Sequence, residues 1–139
     1  MAGSGEFYTQ RGYDVRDGSG LTTAMEDYLE MICRITRSGE DVRVRALSER
    51  LHVRPSSVSK MTAHLDALGY VSAERYGIIR LTETGRGVGD YLLYRHDVVE
   101  KFLRALNGSR DETEQAERIE HYLDRRTVAN LERLTKTIQ

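Results

Sequence analysis

The sequence predicts a mostly α-helical chain with one small β-hairpin, arranged as an N-terminal winged helix-turn-helix followed by a second, helical domain. Three observations lead there. Apolar residues recur at the 3.6-residue helical period through the segments that follow residue 20. The only proline, Pro55, stands just after a tight break at His52-Val53-Arg54, where proline is favoured in the first turn of a new helix. A single stretch, Tyr70 to Leu81, reads instead as two short strands joined at Tyr76-Gly77.

The 139 residues suffice for one medium domain or two small ones sharing a core. No apolar run approaches the length of a membrane span and no signal peptide is visible, so no membrane partner is expected. Cys33 is the only cysteine, which rules out an intrachain disulfide and fits a reducing, cytoplasmic setting.

Residues 1–20 hold five glycines and no hydrophobic period, and read as a disordered or tag-derived arm. Thr23-Ala24-Met25-Glu26 has the form of a capping box, so a helix is expected from about Ala24 to Arg37. Its core stripe is Met25, Tyr28, Leu29, Ile32 and Ile35, with Cys33 beside it as a small buried hydrophobe. Asp27 and Glu30 point away from that stripe; taken alone they read as solvated, with Glu30 able to pair with Arg34. Ser38-Gly39 ends the helix. Val44 to Leu51 is a short helix with Val44, Leu47 and Leu51 inward. The next runs from Pro55 to Leu68, stops at Gly69, and turns Val58, Met61, Leu65 and Leu68 inward. Thr82 can cap a long helix reaching about Leu106. Within it, Gly85-Arg86-Gly87-Val88-Gly89 lacks the dinucleotide spacing and opens no βαβ unit, so it reads as a site of close helix packing. Asn107-Gly108-Ser109 breaks that helix. A shorter one directs Ala116, Ile119 and Leu123 inward, and a Thr127 cap leads into a last helix carrying Val128, Leu131, Leu134 and Ile138. The expected division is residues 21–82 and residues 83–139, with nothing left at the C-terminus for another domain.

The net charge of −1 conceals a partition. Residues 1–33 carry a net −4, residues 34–80 a net +4 and residues 81–139 a net −1. The positive segment is the helix-turn-helix and hairpin, where a DNA surface needs it. The outer face of the Pro55 helix carries Ser56, Ser59, Lys60, Ala63 and Ala67, small or polar residues that let a helix lie close to base edges in a major groove. Ser56, Ser57, Ser59 and Lys60 are the candidate groove contacts, Ser57 by virtue of its place in the first turn. Arg54, Arg75 and Arg80 are the candidate phosphate contacts.

In the shorter helix, Glu117, Glu120 and His121 fall at i, i+3 and i+4 and project from one face. Two carboxylates and an imidazole there can chelate a divalent cation, or simply form a solvated face. His96 and Glu100, at i and i+4 of the long helix, are likewise a chelating pair or a surface pair.

Several motifs in order resemble the diphtheria-toxin-repressor family of metal-dependent transcriptional repressors, in its manganese-transport-regulator branch. They are Met25-Glu26-Asp27-Tyr28-Leu29-Glu30, Pro55-Ser56-Ser57-Val58-Ser59-Lys60-Met61, Leu81-Thr82 with Gly85, Tyr94-Arg95-His96, and Glu117-Arg118-Ile119-Glu120-His121, spread over about residues 21–124. The resemblance implies metal ligands at Asp27, Glu30, His96, Glu117, Glu120 and His121. Glu100 matches an ancillary-site position of iron-responsive relatives. The iron branch typically places Met at the position of Asp27 and Cys at that of Glu117. Four carboxylates and two imidazoles form a hard, oxygen-rich set that suits six-coordinate Mn²⁺, as one ion or as a pair bridged by Glu117 and Glu120. Fe²⁺ and other divalent transition metals bind such donors at least as tightly, so an iron-responsive regulator is the alternative.

The resemblance further implies a homodimer on a palindromic double-stranded DNA operator, repressing metal-uptake genes. In that reading the metal ties the first helix to the second domain and so sets the separation of two recognition helices. The chain is not expected to be an enzyme. Its rivals are a dinuclear metal hydrolase and a winged-helix regulator indifferent to metal.

Overall fold

The computed structural model describes Phe7, Thr9, residues 21–74 and residues 77–138. Apart from Phe7 and Thr9, both exposed, the arm expected over residues 1–20 lies outside the described residues, as does Arg75 in the hairpin.

Helix α1 spans Thr23–Arg37, α2 Val44–Leu51 and α3 Pro55–Ala67; strands β1 (Val71–Ala73) and β2 (Ile79–Leu81) follow. Helix α4 spans Glu83–Asn107, α5 Thr113–Ile119 and α6 Arg125–Ile138, with a 3₁₀ turn over Glu120–Tyr122 between the last two. The expected mostly helical winged helix-turn-helix is therefore observed, with helices in the second half.

Local chemistry explains the boundaries. The α1 capping box lies one residue earlier than the sequence suggested: Thr22 is the N-cap, accepting the Met25 amide at 3.1 Å, and Met25 rather than Glu26 closes the box. That shift frees Glu26 for other work. His52 ends α2 in the left-handed region at φ 57°, and Pro55 opens α3 one tight turn later. In the hairpin, Val71 pairs with Leu81 and Ala73 with Ile79, and Gly77 makes the turn at φ 78°. Thr82 caps α4 by accepting the Gly85 amide at 3.0 Å while its hydroxyl donates to the Gly69 carbonyl at 2.6 Å. One side chain thus holds the helix start against the end of α3. The last helix is capped by Asp124, which accepts the Thr127 amide at 2.7 Å, and not by Thr127 itself.

The main core joins α1, α2, α3, the hairpin and the first half of α4. Met25, Leu29, Ile32, Ile35, Leu47, Val58, Leu65, Val71 and Leu92 are all buried there. A smaller core gathers Val99, Leu103 and Ala116, flanked by Phe102, Leu123 and Leu131. Helix α4 runs through both, so the two halves share one rigid rod. It also packs along α1, where Gly89 gives the clearance, while Gly85 lets its first turn close on the Tyr70 backbone. A Cβ on Gly85 would land on the Tyr70 carbonyl, and one on Gly89 would stand 2.9 Å from the Cys33 Cβ. The glycine series is indeed a packing device; Gly87, on the open side, faces nothing within 4 Å. Two inward expectations fail. Ile119 is 37% exposed and Leu68 48% exposed; Ile119 is the last residue of its helix and Leu68 the C-cap of its own, where the helical face stops.

The two glycine environments predict opposite stabilities. Gly85→Ala should destabilise the fold by about 1–3 kcal/mol or more through overpacking. Gly87→Ala should stabilise it by about 0.5–1 kcal/mol by restricting the unfolded chain. Urea denaturation midpoints of the two variants check both signs.

Candidate metal centre

The structure brings the six sequence-predicted ligands together where α1 faces the second half of the chain. Glu30, His96, Glu117 and Glu120 each offer an atom within 4.8 Å of the others. Asp27, Glu117 and His121 form a second such group. Glu117 belongs to both, whereas Glu120 belongs only to the first. Asp27 and Glu30 come from α1, His96 from α4, Glu117 from α5, and Glu120 and His121 from the 3₁₀ turn.

The route to this geometry differs from the sequence expectation in one respect. Glu117, Glu120 and His121 do not share one α-helix, because α5 ends at Ile119 and the backbone tightens into the 3₁₀ turn. The tighter winding carries Glu120 inward until it is fully buried. Glu30 is 4% exposed, so the solvated-face reading of the α1 carboxylates fails for it; Asp27 keeps about half its side chain in solvent. Glu30 does make the expected pair with Arg34, at 2.9 Å.

Electrostatics at the cluster are dominated by crowded carboxylates. His96 Nδ1 lies 3.0 Å from Glu117 Oε1 and 2.9 Å from Glu120 Oε2. Those two hydrogen bonds, Glu117 first, hold the imidazole protonated with its pKa lifted to about 10, against the effect of burial. Burial disfavours the charged form of His121, but its bonds to Asp27 and Glu26 outweigh that and lift its pKa to about 9. Burial, then the charges of Glu120 and Glu117, push Glu30 upward, with Arg34 opposing. The hydrogen bond from His96 pulls Glu117 downward. In effect the two imidazolium ions stand between the carboxylates as counter-ions.

The donor set fits a hard divalent cation. Glu30 Oε1 and Glu120 Oε1 are buried oxygens without a hydrogen-bond partner, an expensive state for a carboxylate unless a cation meets it. A cleft of about 240 Å³ lined by Asp27, Glu30, Met31, Arg34, Arg50, Leu51 and Glu117 connects the cluster to solvent. Glu100 points its Oε1 to His96 Nε2 at 3.3 Å, on the ring edge opposite Glu117 and Glu120.

Two residues near the cluster escaped the sequence reading. Glu26 Oε1 accepts from His121 Nδ1 at 2.8 Å and from Arg95 Nη2 at 3.1 Å, and Arg95 is itself 3% exposed. The available signal was position. Arg95 lies in line with Leu92 and Val99 on the buried stripe of α4, where a cation needs a buried partner.

Away from the cluster's ligands in the chain, Arg54, Ser56, Ser57, Ser59 and Lys60 are all exposed at the start of α3. Arg80 is exposed as well, but its guanidinium is paired with Glu74 at 2.8 Å across the hairpin. Thr62 is buried in α3, with a hydroxyl that has no partner. No helix among the described residues is long and apolar enough to cross a membrane.

Comparison with known proteins identifies the family of the chain. Residues 20–79 match the iron dependent repressor N-terminal DNA binding domain, and residues 82–139 match the metal binding and dimerisation domain of the same family. The HTH-type transcriptional regulator MntR of Oceanobacillus iheyensis is 41% identical over 104 residues, 73% of this chain and 70% of that protein. The regulator of the same name from Geobacillus kaustophilus is 37% identical over 119 residues, 85% of this chain and 84% of that protein. Among solved structures, the manganese regulator SloR superposes with a TM-score of 0.71 at 24% identity, over 81% of this chain; the match spans about half of that longer chain, 53%. With both family domains matched in order and relatives of this identity spanning most of its length, the chain belongs to the iron dependent repressor family, the diphtheria-toxin-repressor family that its motifs resemble.

Proposed function

We propose that this protein is a manganese-responsive, DNA-binding transcriptional regulator that acts as a homodimer, with residues 21–82 reading DNA and residues 83–139 sensing metal and dimerising. The observation that carries the reading is that both ligand groups draw on α1 and on the second half of the chain at once. The relatives named MntR and the solved structure named as the manganese regulator SloR support the choice of effector, as does a donor set with oxygen at every non-imidazole position. Iron remains the second candidate effector, since the family carries that description and such donors discriminate weakly by affinity.

Asp27, Glu30, His96, Glu117, Glu120 and His121 would hold the ion or ions. A bound Mn²⁺ supplies the positive charge that these carboxylates lack and accepts donors from both halves of the chain. The chain's own residues carry the response. Like charges within 4.8 Å of one another repel by about 3–4 kcal/mol at an effective dielectric of about 20, and in the metal-free chain the imidazolium protons offset only part of this repulsion between α1 and the second half of the chain. Helix α1 shares the main core with α3, including Leu29, Ile32, Val58 and Leu65. A change in where α1 sits is therefore a change in where the recognition helix stands. In a twofold dimer that position must match two successive major grooves ~34 Å apart. The protein acts by binding and not by catalysis, which accords with its family of transcriptional regulators.

The coupling expected for such a device is about 5–150-fold in DNA affinity. Titrating a duplex selected by the Mn²⁺-loaded protein against metal-free and Mn²⁺-loaded forms measures it, and equal affinities would end the proposal. Lys60→Ala should weaken DNA binding and lower the slope of log K against log salt by about one if Lys60 meets a phosphate. An unchanged slope reassigns it.

Metal binding should also release protons. With His96 and His121 held protonated to about 10 and about 9, each must shed one proton to coordinate at neutral pH. Apparent Mn²⁺ affinity then falls by about tenfold per displaced proton for each pH unit lowered. Calorimetry at pH 7.5 in buffers of different ionisation enthalpy should count about two protons released per chain. A count near zero contradicts the protonated state of the cluster.

A further inference from the structure

Glu26 follows directly on the capping residues of α1 and precedes the predicted ligand Asp27, yet it belongs to neither ligand group. Its Oε1 lies 2.8 Å from His121 Nδ1, while His121 Nε2 lies 3.1 Å from Asp27 Oδ1. The two edges of the ring are thus divided between a carboxylate outside the cluster and one inside it. The remaining neighbour on the outer edge is Arg95, whose Nη2 is 3.1 Å from Glu26 Oε1 and 3.3 Å from His121 Nδ1.

Carboxylates meet both edges of the ring, as an imidazolium requires. When a cation takes Nε2 in place of its proton, Nδ1 keeps its hydrogen and donates it to Glu26. Arg95 Nη2 is a second donor to Glu26. Arg95 also explains why Glu26 stays out of the cluster. Its buried positive charge, 3.1 Å away, balances the carboxylate in place.

We propose that Glu26, held by Arg95, is a positioning residue for His121. It keeps the hydrogen on Nδ1 and presents Nε2 to the group formed by Asp27, Glu117 and His121. A carboxylate that orients a metal-bound imidazole from its far edge is a general device of metal sites. Glu26, Arg95 and His121 come from α1, α4 and the 3₁₀ turn; Arg95 lies 69 residues and His121 95 residues from Glu26 in the chain. Glu100 stands in the mirrored relation to His96: it meets Nε2 at 3.3 Å and leaves Nδ1 facing Glu117 and Glu120. The two imidazoles therefore offer opposite nitrogens.

This inference rests on the metal-binding reading proposed above, and the experiment separates the two. Mn²⁺ calorimetry of the full chain, wild type, Glu26→Ala and Glu26→Gln, is read alongside the thermal melt of each metal-free protein. Wild type should bind Mn²⁺ at both groups; no binding by wild type overturns the metal-binding reading itself. Glu26→Ala should weaken one Mn²⁺ equivalent by about 10–100-fold and leave the other unchanged, and Glu26→Gln, which keeps an acceptor oxygen, should recover most of the loss. Wild-type affinities in Glu26→Ala, or equal losses in the two variants, overturn the positioning role. A direct readout needs no variant. In the Zn²⁺-loaded wild type, nitrogen-15 chemical shifts should report His121 as the Nδ1–H tautomer, and the Nε2–H tautomer would refute the assignment whatever the variants do.

Discussion

Buried like charge is the constraint on which the rest of this molecule turns. Glu30 and Glu120 are almost wholly removed from water, beside Glu117 and near Asp27, and each keeps one oxygen without a donor. A core made only for stability would not tolerate this, because burying a carboxylate without compensation costs more than most single packing contacts return. Protonated His96 and His121 and the guanidinium of Arg34 offset part of the cost. The compensation is conditional on their protons, and conditional compensation is what a sensor requires.

The fold puts that constraint where it can be felt at a distance. Helix α4 is a single rod of 25 residues that enters both cores, and α1 lies along it with glycine clearance at Gly89. Helix α1 in turn is packed in the same core as α3, so the charged cluster and the exposed serines of α3 are linked by close-packed side chains. Interiors at such density move as blocks and not by gradual deformation. The carboxylates on α1 thus act on the one helix whose position the DNA-reading surface inherits.

Much of this was legible in the residues. The helical periods of α1 to α4, the break before Pro55, the hairpin and the Thr82 cap are each written in a local pattern, and each is found within a residue or two of its expected place. Where local reading slipped, the cause is identifiable. The cap of α1 is Thr22 because two threonines stand in succession and the backbone chooses between them. Ile119 is exposed because the helix that would have buried it ends there in a 3₁₀ turn. Leu134 and Ile138 continue the apolar stripe of α6 but are about half exposed, since nothing among the described residues covers that face.

The sequence by itself determined the elements, their order, and the chemical kind of each donor: carboxylates and imidazoles, with no sulfur at the cluster. It also carried the family, through motifs whose spacing is a linear property. Only the tertiary structure decided that Glu30 and Glu120 are buried, that Glu117 serves both ligand groups, and that Glu26 turns to His121 and Arg95 instead of to its own helix cap. The physical reason is that periodicity records which face of an element is apolar, whereas the fate of a charge depends on what another element brings against it. Here those partners lie as many as 95 residues away, and no local pattern encodes a meeting across that distance.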